Sequence, residues 1–176
     1  MLLLPTLEMD LAPYKPLISH EIEALEGDST VALYRYWQEK RAGDEAPDWA
    51  DFKFIDLYRI APVMFVMDVV DPDDVNKLRY RHMGTRIVEY RSLRLNPDLT
   101  GKTFGEGDRS YDTAPMAAAY WTAYKEAVPV VMRGDYRTEN AFGRHERLIL
   151  PWMIDGKVAR LTGCLDRADI YERMLS

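Results

Sequence analysis

The sequence predicts an α+β domain built on a five-stranded antiparallel sheet, with helices inserted on one face and a helical extension at the N-terminus. Three observations predict it. Short β-rich apolar runs bounded by turn residues recur at Pro62–Val70, at Lys77–Met83 and, three in succession, between Pro129 and Leu165. A helix-period stripe, Ala114–Val128, falls between the second and third of these runs, and another, Ser29–Ala42, precedes them all. The 176 residues suffice for one domain that buries roughly two thirds of its unfolded surface without a metal or disulfide staple.

Taken in order, residues 1–18 hold Pro5, Pro13 and Pro16 with little periodicity and are expected to be irregular. In Ser29–Ala42, Ser29 is the expected N-cap, Leu33, Tyr36, Trp37 and Lys40 recur at helical spacing, and Gly43 is placed to stop the helix. Asp44–Phe52 reads as a loop with a helical turn. Pro62–Val70 is apolar on both alternating faces except at Asp68, so it belongs inside the sheet with both faces covered. Lys77–Met83 is its hairpin partner, Gly84 breaks that strand, and Thr85 can cap a short helix through Leu93. After the turn-rich Asn96–Asp112, Asp112 or Thr113 caps the longer helix. Met116, Tyr120, Ala123, Tyr124 and Ala127 form its stripe, and Pro129 ends it.

The last three strands are Pro129–Glu139, His145–Ile154 and Lys157–Leu165. The turn Asn140–Arg144 separates the first two, and the strong hairpin dipeptide Asp155–Gly156 the last two. Residues 166–176 read as a short amphipathic helix. The expected division is 1–45 as extension, 46–166 as sheet domain and 167–176 as closing helix. Helices inserted after the second strand cover one sheet face. The N-terminal helix, a second subunit or both must cover the other.

The totals exclude several classes. A net charge of -6 argues against nucleic acid as main partner, because phosphate binding needs a basic face. The one basic island, Arg79–Arg94, alternates with apolar residues as on a sheet edge and an exposed helix. A single cysteine, Cys164, cannot form an internal disulfide and suits a reducing compartment. No apolar stretch approaches the roughly 18 residues needed to span a bilayer, and the apolar start lacks the basic residues of an export signal. The expected location is the cytoplasm, without membrane attachment.

Segments in order, Phe54–Val70, Arg79–Glu89, Leu99–Phe104, the Pro129–Glu139 strand and His145–Gly156, resemble the PAS sensory domain. More narrowly, they are similar to a stand-alone bacterial PAS-type family carrying a Y-R-x-x-G-T-x-I-v-E signature. Tyr80, Arg81, Gly84, Thr85, Ile87 and Glu89 match it residue by residue, and Glu146 and Arg147 fall in the matching His145–Gly156 segment. The resemblance implies a PAS-like fold and a cytoplasmic sensing or interaction module, without a shared catalytic set. Arg81 or Arg86 would pair with Glu89 or Glu146 at the strand-to-helix junction. The Gly-Thr pair is no phosphate loop, since no G-x-x-x-x-G-K-[ST] occurs.

Specific chemistry finds few footholds. Haem would need an axial ligand, commonly a histidine on the inserted helix, where Met116, Tyr120 and Tyr124 stand instead; His82 falls on a strand. A flavin photosensor would need a reactive cysteine in a helix, and Cys164 lies on the last strand. No cofactor and no metal are therefore expected. No serine sits in a nucleophile elbow, and Glu146 and Arg147 point to opposite sheet faces. What remains is a small-ligand pocket between helix and sheet. Its candidate walls are Met116, Tyr120 and Tyr124 on the helix, Met64, Val66, Met132, Tyr136, Leu148, Leu150 and Leu161 on strands, and Thr85 at the junction. One residue of register decides which strand residues face the helix.

The leading expectation is a stand-alone regulator working through a small molecule, a homodimer or a signalling protein. The chain runs only to Ser176 after its last strand, so output would pass through partner contacts. The alternative is a small α+β enzyme, isomerase- or hydratase-like, with a buried carboxylate or histidine beside a second polar group. A third reading makes Arg79–Arg94 an anion-binding face, which requires those arginines to be contiguous and unneutralised.

Overall fold

Met64, Phe65, Val66 and Met67 are apolar in unbroken succession, which suits a strand with no solvent-facing side. A computed structural model describes residues 15–18, 24–91, 96–107, 113–137 and 142–170 of the chain, with backbone alone at 15–18, 135–137, 142–144 and 167–170. In it these four side chains are buried inside a six-stranded sheet. The strands are β1 (Lys15–Ile18), β2 (Met64–Asp68), β3 (Arg79–Met83), β4 (Val130–Arg137), β5 (Phe142–Ile154) and β6 (Lys157–Ile170). They lie in the order β1-β4-β5-β6-β2-β3, and every neighbouring pair is antiparallel.

Five of these strands are the expected ones, and β1 is an addition. Where irregular chain was expected, Lys15 pairs with Arg133 and Ile18 with Val130 along β4. Four residues containing Pro16 carry no readable alternation, and a proline is tolerated at a sheet edge, where one side of the strand makes no ladder bonds. The C-terminal expectation also changes. Arg167–Ile170 are strand, not helix, and continue β6 opposite Phe142–His145 of β5. Residues 171–176 lie outside the described residues. The strand β5 likewise starts at Phe142, inside the segment that reads as a turn. Each arm offers the other a ladder of backbone partners, and that tertiary template outweighs a short helical pattern.

Three helices complete the fold: α1 (Asp28–Lys40), α2 (Thr85–Tyr90) and α3 (Ala114–Glu126). The inner sheet face packs on α2, α3 and the 99–104 loop, and its core includes Phe65, Met67, Tyr80, Tyr120, Ile149 and Leu161. The outer face lies under α1, with Leu33, Tyr36 and Trp37 against Val131, Leu148, Leu150 and Trp152. Thus the N-terminal helix covers the second face. Both indoles inside it are satisfied: Trp37 Nε1 donates to Pro151 O and Trp152 Nε1 to Thr162 Oγ1, each at 2.8 Å.

The helix ends differ from the expectation in detail. Gly27, not Ser29, is the N-cap of α1, and the helix stops at Lys40 with an extended Arg41. Gly43 follows in the next turn at φ 84°. For α3 the cap is Thr113, Asp112 lying outside the described residues, and Ala127 closes it in the left-handed region at φ 54°. Between β5 and β6, Asp155 and Gly156 both have positive φ, 52° and 73°, as the Asp-Gly hairpin requires.

Gly163 of β6 sits opposite Phe65 and Ile149, and the Phe65 ring lies over it. A Cβ there would come within 2.2 Å of Phe65 Cζ and 2.4 Å of Leu148 O, and the carbonyl belongs to the ladder. Gly163→Ala is therefore expected to cost about 1–3 kcal/mol, read as a lower urea midpoint. An unchanged midpoint would show that the Phe65 ring and the β5 backbone both yield to the methyl group at no cost.

Candidate functional site

Strand β5 carries a Glu-Arg pair at its centre, and alternation sends the two side chains to opposite faces. On the inner face Arg147 reaches α3. Its Nη1 donates to Tyr120 Oη at 2.8 Å and rests against Met116 Sδ at 2.7 Å, and its guanidinium lies 5.7 Å from the centre of the Phe65 ring. Tyr120 is fully buried and meets Phe65 and Phe104 edge-on at 5.8 and 5.5 Å. A half-buried cation therefore stands within an aromatic and thioether lining, the arrangement in which one polar group can orient a small molecule among apolar walls.

On the outer face Glu146 holds the start of α1. Its carboxylate accepts the Glu26 and Gly27 N–H groups at 3.2 and 3.1 Å, the Thr30 hydroxyl, and Arg133 Nε at 2.8 Å. Asp166, directly opposite Glu146 on β6, accepts the Ser29 N–H at 2.9 Å. The free N–H groups of a helix start are thus capped by strand carboxylates, which also complement the positive end of the helix dipole. Gly27 permits the approach, since a Cβ there would lie 2.6 Å from Asp166 Oδ2. Burial alone would push the Glu146 carboxyl up. Hydrogen bonds from Thr30, Gly27, Glu26 and Arg133 outweigh it and hold the carboxyl below its ordinary 4.5. These contacts commit Glu146 to structure, against the acid–base role that the enzyme reading would give it.

The signature residues divide by role. Tyr80 and Ile87 are inner-core side chains. Gly84 has an ordinary φ, and its value is clearance: a Cβ would lie 2.3 Å from Pro62 O and 2.5 Å from Ala61 O. Gly84 itself is the N-cap of α2, and Thr85 is exposed with no capping bond, so Thr85 neither caps the helix nor lines the inner face. Of the expected pairings, Arg86–Glu89 forms at 3.9 Å on the surface. Arg81 instead pairs with Asp68 at 2.9 Å, because β2 is its hairpin partner, and Arg133 supplies the cation for Glu146.

The basic island is paired in part. Asp68 also takes Arg160 at 3.0 Å, and Arg91 donates to the carbonyls of Asn96 and Pro97. Arg94 lies outside the described residues. Within the island, Arg81 and Arg86 thus have carboxylate partners and Arg91 has carbonyl partners. His82 packs edge-on against Phe54 at 4.8 Å, with its Nε2 buried and, among the described residues, without a hydrogen-bond partner.

Of the expected pocket walls, Tyr120, Met132 and Leu161 are buried on the inner face, with Met116 and Tyr124 partly buried beside them. Met64, Leu148 and Leu150 belong to the outer core under α1, and Val66 alternates with Phe65 and Met67 onto that same face. Tyr136 lies in β4, and its side chain is outside the described residues. The strand runs are apolar on both faces, so periodicity alone carries no phase. Phe65, Ile149 and Arg147 are the inward residues of those strands. Burial also pushes the Cys164 thiol well up, on the outer face away from α3. The sequence carries no local signal for the clamp residues Thr30, Arg133 and Asp166: Asp166 falls in the expected closing helix, and its place opposite Glu146 is a matter of β5–β6 register.

A family model described as a PAS domain matches residues 25–166. None of the curated proteins matches the chain. Among solved structures, the chain is similar to one described as an RNA-binding light-oxygen-voltage receptor, at 17% sequence identity and a TM-score of 0.39. The similarity covers 75% of this chain and 38% of the receptor, so the chain spans well under half of that protein's length.

The lowered Glu146 carboxyl makes stability depend on pH in a defined direction. Unfolded chain binds that proton more tightly, so the contribution is complete above about pH 4.5 and is lost as pH falls through the lower folded value. Glu146→Gln is expected to cost about 1.5–3 kcal/mol at neutral pH and to flatten the acid limb of a urea-midpoint profile. Equal acid limbs in the two proteins would show that the clamp contributes nothing.

Proposed function

The chain belongs to the PAS domain family, and from that membership we propose that it is a regulatory sensor that holds a small molecule between α3 and the inner sheet face. The observation that carries the ligand reading is Arg147, a cation set among Tyr120, Met116 and Phe65 where the rest of the face is apolar. A charged side chain is costly to place there, and it supplies directional donors in a lining that otherwise selects only shape. The proposed module is not catalytic. The one carboxylate on β5, Glu146, is occupied by the α1 start, and this supports binding over acid–base chemistry.

The proposed ligand is neither haem nor a photoreactive flavin. Met116, Tyr120 and Tyr124 stand on α3 where a haem ligand would be sought, and Cys164 is an outer-face core residue. Output in this reading is a protein contact, with a second copy of the chain or a signalling protein, in the cytoplasm. Among the described residues no helix is long and apolar enough to cross a membrane.

Native mass spectrometry combined with an absorption spectrum of the purified protein tests the proposal. The expected result is an adduct of small-molecule mass with no haem or flavin band, absent from Arg147→Met. Wild-type protein carrying no adduct, and showing no thermal shift across a panel of small carboxylates, phosphates and aromatics, would remove the ligand reading.

A further inference from the structure

Phe54–Leu57 form a short 3₁₀ helix whose turn continues through Tyr58, an αR residue that donates its N–H to Ile55 O at 3.4 Å. At three residues per turn, side chains three apart lie on the same side. One side, Phe54 and Leu57, is anchored. Leu57 belongs to the outer core under α1, and Phe54 meets Phe52 at 5.8 Å and His82 of β3 at 4.8 Å. The entry is tied as well, with the Lys53 N–H donating to Tyr36 Oη of α1 at 2.7 Å. The other side is bare. Ile55 is 75% exposed and Tyr58 62%, and among the described residues the only further large apolar side chain exposed in this way is Val70, outside this turn. Single exposed apolar side chains need no explanation, but two in register on an anchored turn make a preformed contact surface.

Cations flank the pair. Arg59 donates from Nε to Tyr58 Oη at 3.0 Å, and its guanidinium carbon lies 5.7 Å from the centre of the Tyr58 ring. That contact leaves both Nη groups without a hydrogen bond among the described residues, and neither Arg59 nor Lys53 has a carboxylate within ion-pair reach there. Asp56, the acid of the stretch 53–59, faces Lys40 at 4.0 Å instead. The turn is thus locally positive on a chain whose net charge is -6, and differs in sign from the molecule as a whole.

We propose that Ile55, Tyr58 and Arg59 are a docking surface for a short acidic segment of a partner protein, which lays an apolar side chain across Ile55 and Tyr58 and gives a carboxylate to Arg59. The chemistry of the surface sets the occupant. Tyrosine and arginine are side chains that often dominate binding energy, and a carboxylate matches the open edge of a guanidinium in two parallel hydrogen bonds. A second copy of the chain fits less well, because in a two-fold contact the patch meets itself and brings like charges together. Nucleic acid also fits less well, since two cations beside an apolar pair neutralise few phosphates. The surface gives a place to the protein contact proposed above as output and rests on that part of the reading alone. Ligand binding has its own test in the mass spectrum, so either can fail without the other.

A phage library of random dodecapeptides is selected on the immobilised full chain, and the enriched peptides are titrated in solution by fluorescence anisotropy. The expected peptides join Leu, Ile, Phe or Trp to Asp or Glu. Their affinity falls roughly tenfold or more with Ile55→Ser, Tyr58→Ser or Arg59→Glu, and weakens as salt screens the ion pair. Val70→Ser, at the remaining exposed apolar position, leaves it unchanged. Because a loss of structure would mimic these effects, Arg59→Glu is also titrated with a peptide whose acids are replaced by Lys, and recovered affinity is expected. Failure of that charge exchange to restore binding overturns the carboxylate contact. Acidic peptides that bind all three variants as tightly as wild type overturn this surface and leave a protein contact elsewhere. Enriched peptides without acids, or no enrichment at all, overturn the proposal too. So does a dimer seen by light scattering that Ile55→Ser dissolves, which would assign the patch to a second copy.

Discussion

The carboxylate of Glu146 is where the two halves of the chain meet. It sits 6% exposed on the outer sheet face and gathers donors from Glu26, Gly27, Thr30 and Arg133. A carboxylate buried without such donors would be strongly penalised, and a helix start without acceptors would leave N–H groups unsatisfied. Each solves the other's problem. With its start fixed there, α1 lies along the outer face and lowers Leu33, Tyr36 and Trp37 onto Val131, Leu148 and Leu150. The far end is held separately, by the Trp37 indole on Pro151 O. Polar contacts set the position of the helix, and apolar burial supplies most of the stabilisation.

That division leaves the inner face to a different task. Arg147 is one residue along the same strand, so one stretch of β5 carries an anion for α1 and a cation for α3. The outer face is closed by large rings, with Trp152 meeting Phe52 at 5.2 Å and Trp49 at 5.8 Å. The inner face holds Phe65, Tyr120 and Phe104 around a guanidinium. Gly163 leaves the space beside β6 that the Phe65 ring occupies.

Charge at the surface follows the same logic of local pairing. In sequence, Arg79–Arg94 looks like an island of unbalanced cations within an acidic chain. In space the antiparallel register sets Asp68 beside Arg81 and Arg160, and the α2 turn sets Glu89 beside Arg86. Ion pairs of this exposure are worth little individually, in the range of about 0–1 kcal/mol, and each offsets part of the positive charge there.

What the sequence determined by itself was the set of elements: the strands at 64–68 and 79–83, the hairpin turning at Asp155–Gly156, and the two amphipathic helices. These follow from local patterns of alternation, helical spacing and turn residues, which need no partner to be read. The family signature was legible for the same reason, being contiguous from Tyr80 to Glu89. Tertiary structure alone decided the rest. It chose which side of β2 and β5 faces α3, because runs apolar on both faces hold no phase. It made strands of Lys15–Ile18 and Arg167–Ile170, because β4 and β5 offered them open ladders. It also brought Thr30, Arg133, Glu146 and Asp166 together from four separate elements. Such a cluster is a property of the β4–β5–β6 register and of the contact that brings Thr30 to Glu146, 116 positions away in the chain.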